Sequence, residues 1–190
     1  MTRYHLGGCI GKLLGIAVLC FGISACSSLP AELSVTDENS VIKDYQTFSA
    51  LDGASGQHVR LGGVIATVTN LSDRTRLEMV NLPIGSDGKP DIRQEPQGRF
   101  IVYINGFLDP VTYAQGRLMT VLGSPLAPEK SQVGEFKADF PALSASAYHL
   151  WRVTERVVIH EPGSFLRDCD HWRCRDSFGS KTGQVIPEVK

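Results

Sequence analysis

Val59-Arg60-Leu61-Gly62-Gly63-Val64-Ile65-Ala66-Thr67-Val68 is the stretch that decides the fold. β-Branched residues dominate it, and these favour a pleated strand over a helix. Its central Gly62-Gly63 marks a place where a strand bends or bulges. Downstream, Asn70 to Thr75 is a polar turn, and Arg76-Leu77-Glu78-Met79-Val80 alternates polar and apolar until Pro83 stops it. Residues 85–98 hold three glycines and two prolines and read as a long loop. Arg99-Phe100-Ile101-Val102-Tyr103-Ile104 is the third strand, with Phe100, Val102 and Ile104 on one face. Asn105 to Gln115 has a turn composition, and Arg117-Leu118-Met119-Thr120-Val121-Leu122-Gly123 is the fourth strand. A second Pro- and Gly-bearing loop runs from Ser124 to about Pro141. The fifth strand begins near Tyr148 and runs through Leu150-Trp151-Arg152-Val153 toward Val157-Val158-Ile159. Five strands without a strong amphipathic helix define an all-β domain, a small barrel or a sandwich. The bent first strand favours a five-stranded OB-like barrel, although periodicity alone does not separate the two.

Upstream of this domain the chain carries a processing signal. Arg3 precedes an apolar run from Leu13 to Ile23. As a helix those residues span about 16 Å at ~1.5 Å per residue, too short for a hydrocarbon core of about 30 Å. The run suits the apolar region of a signal peptide. Ile23-Ser24-Ala25-Cys26 resembles a bacterial lipobox, in which small residues admit the chain to a peptidase and the Cys26 thiol accepts the lipid. Cys9 and Cys20 fall in the discarded segment. Several acyl chains, palmitate among them, make such an anchor effectively permanent, whereas one chain binds only marginally. Ser27 follows the lipidated cysteine, and in the enterobacterial sorting pattern Ser permits transport outward where Asp retains. The expected location is therefore the periplasmic face of the outer membrane. The expected organisation is a lipoprotein signal peptide over 1–25, a lipidated tether and lead-in segment over 26–57, the β-barrel domain over 58–160, and a tail over 161–190. Within the second part the tether reaches about residue 37, and aromatics such as Tyr45 and Phe48 then pack on the domain.

The whole chain has 190 residues with 19 basic and 20 acidic side chains. Removing residues 1–25, which hold Arg3 and Lys12 and no acid, leaves 165 residues with 17 bases against 20 acids. A mildly acidic product of this size fits one domain with a real core. It is too apolar for disorder and not basic enough to bind nucleic acid by bulk charge.

Several short motifs stand in order along the domain: Gly62-Gly63-Val64-Ile65, Leu77-Glu78, Leu82-Pro83, Lys89-Pro90-Asp91-Ile92 and, above all, Gly106-Phe107-Leu108-Asp109-Pro110. Tyr113, Val121-Leu122-Gly123, Tyr148-His149-Leu150-Trp151 and the closing Gln184-Val185-Ile186-Pro187-Glu188 follow them. Together they resemble the Slp family of outer-membrane lipoproteins. The resemblance implies an envelope lipoprotein associated with starvation or stationary phase, with no established catalytic activity. Residues 161–180 depart from the aromatic- and Pro-rich tail of that family.

Catalytic motifs are absent from the sequence: there is no P-loop, dinucleotide fingerprint, nucleophile elbow or His-Glu-x-x-His helix. Asp109 is either a carboxylate presented for binding or acid–base work, or a turn former that caps backbone amides before Pro110, and the second is favoured. Cys169 and Cys174 are the only cysteines left beside Cys26, and an oxidising periplasm favours a disulfide between them over free thiols. So small a loop contributes roughly 2 kcal/mol. A zinc site from His160, Cys169, His171 and Cys174 has suitable ligand types but lacks the usual paired spacing. Phe100, Tyr103, Phe107, Tyr113 and Trp151 could form an oligonucleotide-stacking platform, but few Lys or Arg accompany them and core packing explains them better. No catalytic residue, cofactor, metal or nucleic-acid partner is expected. The leading reading is a non-enzymatic module that binds an envelope protein, glycan or small ligand, or supports the envelope under stress. The alternative is an envelope hydrolase using Asp109 with a histidine, or a metal in the tail.

Overall fold

β1 (Val59–Asn70) runs antiparallel to β2 (Arg74–Leu82), and β2 runs antiparallel to β3 (Gly98–Asn105). β3 lies parallel to β5 (Phe136–Leu150), which pairs antiparallel with β4 (Leu118–Val133), and β4 returns to β1. The ring β1-β2-β3-β5-β4 closes on itself, the strand order of an OB-like barrel. The structure, a computed structural model, describes residues 28–53, 56–159 and 183–190.

Alternation places the core. Leu77 and Met79 of β2, Phe100, Val102 and Ile104 of β3, and Met119 and Val121 of β4 point inward and are buried. Helix α1 (Tyr45–Ser49) closes one end, and Asp44 caps it by accepting from the Thr47 N–H at 2.7 Å. Its Phe48 meets Phe100 edge to face at 6.3 Å, and Tyr45 Oη donates to the Arg99 carbonyl at 2.8 Å. Leu108, just past the far end of β3, closes the other end.

The outer side of β1 and β4 is covered as well. Leu33 is fully buried against Val41 and Leu122, with Leu29 and Val35 beside them. Leu82, Leu118 and Trp151 pack together with Val64, Ile92 and Val189. This second layer explains the first glycine of the pair. A Cβ on Gly62 would lie 2.3 Å from Ile84 Cγ2, and one on Gly63 would lie 2.2 Å from the Val80 carbonyl oxygen of the paired strand. The register break expected at Gly62-Gly63 falls instead between Ile65 and Thr67. Gly62 provides clearance for covering residues and Gly63 for the β2 backbone.

Four other expectations change. The loop expected over 124–141 is a two-stranded arm, the outer halves of β4 and β5, joined by a two-residue turn with Gly134 at φ +60°. Pro128 lies in the register shift between Leu126 and Glu129, where a missing N–H costs no ladder bond, so proline did not break the strand. The fifth strand therefore begins at Phe136. The run near 153–159 does not extend it: Val153–Ile159 is β6, which leaves the barrel and pairs with β7 (Gly183–Val189) in a separate ribbon. The expected tether to residue 37 is also shortened, because the chain is packed from Leu29 onward. Finally, Phe107 is exposed and takes no part in the core.

Candidate functional site

Three outer regions of the barrel carry the polar and exposed residues that the core does not use. The first is the β2–β3 face. Arg76 and Glu78 point outward because Leu77 and Met79 point in, and Tyr103 pairs in register with Arg76. The β4–β5 arm folds across them. Arg76 donates to Glu129 at 2.9 Å, to Glu78 at 2.8 Å and to Ser131 at 3.1 Å. Tyr103 Oη donates to the other Glu129 oxygen at 2.5 Å, and the Arg74 guanidinium stacks 4.5 Å above the Tyr103 ring. Burial disfavours the Arg76 charge, but the hydrogen bonds to Glu78 and Glu129 outweigh it and raise its pKa. Burial, and then the neighbouring Glu129 carboxylate, pushes the Tyr103 phenol up. Arginines therefore do stand beside this aromatic, which the sequence reading missed. Arg76 is neutralised by Glu78 and Glu129, and Arg74 is paired with Asp73, so the face offers no open cationic track for a phosphate backbone. It is the face on which OB-like barrels bind ligands, held under the protein's own arm.

The second region is the Gly106-Phe107-Leu108-Asp109-Pro110 loop. Gly106 adopts φ +84° and donates its N–H to the Asp73 carbonyl at 3.0 Å, tying the loop to the β1–β2 turn. Thr75 Oγ1 accepts from the Leu108 N–H at 3.0 Å, and Asn70 Nδ2 donates to the Leu108 carbonyl at 3.1 Å. These bonds seat Leu108 as the barrel plug. Asp109 accepts from the Val111 N–H at 3.1 Å with one oxygen and from the Thr112 hydroxyl at 3.0 Å with the other. It is a turn former. Seating Leu108 and Asp109 in this way leaves Phe107 and Val111 outside, 73% and 83% exposed.

The third region is the Trp151 flank on the outer side of β4. Trp151 Nε1 donates to Thr120 Oγ1 at 2.9 Å, and that hydroxyl donates to the Gly88 carbonyl at 2.6 Å. His149 lies 4.2 Å from the Trp151 ring and bonds Glu32 at 2.7 Å through Nδ1. The His149 hydrogen bond holds the Glu32 carboxyl below its ordinary range. A groove of about 500 Å³ beside them is lined by Pro83, Ile84, Lys89, Ile92, Ile186 and Val189, among others. Three of the resemblance motifs meet here: Gly62 lies against Pro90 and Thr120, and Trp151 donates to that same Thr120 hydroxyl.

Cys26, His160, Cys169, His171 and Cys174 lie outside the described residues, so the anchor, the disulfide and the zinc alternative have no geometry here. Among the described residues no group of three or more His, Cys, Asp or Glu side chains could hold a metal ion. Among them, too, no helix is long and apolar enough to cross a membrane. The sequence reading also missed Arg60. This side chain is 2% exposed, donates to Glu38 at 2.7 and 2.8 Å and to the Leu33 carbonyl, and pins the N-terminal segment to β1. An arginine inside an apolar strand run was the available signal, because such a residue needs a fixed partner.

A five-stranded OB-like barrel wrapped by its own N-terminal segment, loop and arm defines a small all-β module. The sequence profile of the outer membrane lipoprotein Slp family matches residues 23–175, and the chain belongs to that family. It is 34% identical over 147 residues to an uncharacterized protein of Haemophilus influenzae, covering 76% of this chain and 79% of that one. It is 31% identical over 143 residues to the outer membrane protein Slp of Escherichia coli, covering 75% and 76%. The uncharacterized lipoprotein YeaY of Escherichia coli is 29% identical over 140 residues, covering 72% and 70%. No solved structure gives a significant match. Membership makes this an envelope lipoprotein associated with the outer membrane.

Proposed function

We propose that the protein is a non-enzymatic lipoprotein, anchored through acylated Cys26 on the periplasmic face of the outer membrane. Its barrel binds an envelope protein, glycan or small ligand, or supports the envelope under stress or starvation. The observation that carries the anchor is the family match itself, which starts at residue 23 and so takes in the Ile23–Cys26 lipobox. Asp109 supports the non-enzymatic part: both its carboxylate oxygens are engaged in its own turn, so the hydrolase alternative loses its proposed acid. The Cys169–Cys174 disulfide belongs to the same proposal, since an exported domain folds among oxidants.

Fatty-acid labelling in cells tests the reading. The wild-type chain takes up the label and the Cys26→Ala chain does not. Ser27→Asp moves the labelled protein from the outer- to the inner-membrane fraction of an enterobacterial host. Label on the Cys26→Ala product overturns the anchor, and an unchanged fraction for Ser27→Asp overturns the sorting.

A further inference from the structure

The anchor and the first packed residue are separated by almost no chain. Leu29 packs with Leu33, Val41 and Leu122 on the outer side of β4, and its Cδ1 stands 2.7 Å from where a Cβ on Gly88 would be. Three residue steps join Cys26 to Leu29. They reach at most about 11 Å, at ~3.6 Å per residue fully extended. The next residues are fixed, since Leu33 is fully buried and its carbonyl and Glu38 are both held by the Arg60 guanidinium. From these lengths we infer that the barrel hangs on no free tether: its Trp151 flank lies against the headgroups of the leaflet that carries the anchor. This inference rests on the acylation of Cys26 proposed above.

The chemistry of the flank says which surface it meets. Its charges include neighbouring pairs of opposite sign: Lys89 with Asp87 at 3.2 Å and Arg93 with Asp91 at 2.9 Å. A flank of alternating signs matches a zwitterionic headgroup layer, in which phosphates alternate with ammonium groups. It does not match an anionic layer, which rewards a net basic patch. In the ring β1-β2-β3-β5-β4, the β2–β3 seam lies across from β4. Holding the β4 flank on the bilayer therefore turns the Arg76–Glu129–Tyr103 face and the arm crossing it away from the membrane.

The test uses the acylated full-length chain in vesicles of phosphatidylethanolamine, with Cys169→Ser and Cys174→Ser as background. A nitroxide is placed at Arg93→Cys on the flank or at Lys130→Cys on the arm, and a nickel-chelating lipid in the headgroup layer serves as relaxant. The expected result is a relaxation effect several-fold larger at position 93 than at 130. Fifteen Gly/Ser residues inserted between Ser28 and Leu29 add a coil of about 20 Å root-mean-square length and bring the ratio toward one. Equal effects at the two positions without the insertion overturn the inference. So does a ratio that the insertion leaves unchanged. Intact mass separates this from failure of the anchor: a chain without lipid mass refutes the acylation on which the inference stands, whereas a lipidated chain with equal effects refutes the orientation alone.

Discussion

Arg60 shows how one buried charge organises the segment that precedes the barrel. A guanidinium 2% exposed is costly to bury unless it is hydrogen-bonded, and Glu38 and the Leu33 carbonyl accept from its two terminal nitrogens. The Arg60 hydrogen bonds lower the Glu38 pKa from 4.5 to about 2. A folded pKa below the unfolded one means that the stabilisation is complete above about pH 5 and drains away as pH falls through 4.5 toward 2. Glu38 is 42% exposed, so water screens the pair and the effect is smaller than for a buried carboxylate. In urea titrations between pH 7 and pH 2.5, Glu38→Gln is expected to be less stable at neutral pH and to lose less on acidification than the wild type. Equal acid slopes for the two proteins contradict the pairing. The glycine pair makes a second residue-scale case. Gly63→Ala meets the Val80 backbone, which cannot step aside, whereas Gly62→Ala meets side-chain atoms of Ile84 and Pro90. Denaturant midpoints should show Gly63→Ala as the more damaging, about 3 kcal/mol against about 1–2 kcal/mol for Gly62→Ala, as in overpacked cores. The Gly-Gly signal was legible as something unusual in a strand. Its cause was not, because the crowding comes from Ile84 and Pro90, more than 20 residues away in sequence, and from Val80 on the paired strand.

At the scale of elements, legibility followed how local each signal was. The four inner strand cores were readable because alternation and β-branching mark them directly: 59–68 falls within β1, 76–80 within β2, 99–104 within β3, and 118–123 opens β4. The outer halves of β4 and β5 were not readable, since Pro125, Pro128 and Pro141 signal loop in any local window. The bulge that accommodates Pro128 exists only when the partner strand is present. The arm's hold on the barrel is likewise non-local. Arg76 joins it through Glu129 and Ser131, more than 50 residues away in sequence. Arg76→Met keeps the aliphatic stem and removes the donors, leaving Glu78 and Glu129 half-buried without a shared cation. Hydrogen exchange of Arg76→Met should show amides of residues 129–137 losing protection by at least tenfold. The amides of β1 should keep theirs, because the arm is the outer part of its strands. Loss of protection throughout the barrel would mean that the ion network supports the whole fold and not the arm.

For the whole molecule, the motifs that mark the family turn out to be mostly packing motifs. Gly62 admits Ile84 and Pro90, Gly63 admits the Val80 backbone, Leu108 plugs the barrel, Asp109 caps its turn, and Trp151 is fixed by Thr120. Once these roles are assigned, two side chains of the motif loop and its neighbour remain without one: Phe107 and Val111, both exposed and apolar. The sequence reading placed Phe107 in the core with the other strand aromatics because few Lys or Arg accompany them. Leu108, one position on, takes the core place instead. An aromatic and a valine held outward by a rigid, hydrogen-bonded loop form the kind of anchor that protein interfaces use. Neither side chain contributes to the core, so Phe107→Ser with Val111→Ser should change unfolding free energy by no more than about 0.5 kcal/mol per site, as for ordinary surface substitutions. The same double variant should lose the adducts formed in intact cells by a photo-crosslinker placed at Thr112, while membrane fractionation stays as in the wild type. Retained adducts would move the binding surface away from this loop and toward the face beneath the arm. A drop in stability well beyond that bound would show instead that the two side chains belong to the fold.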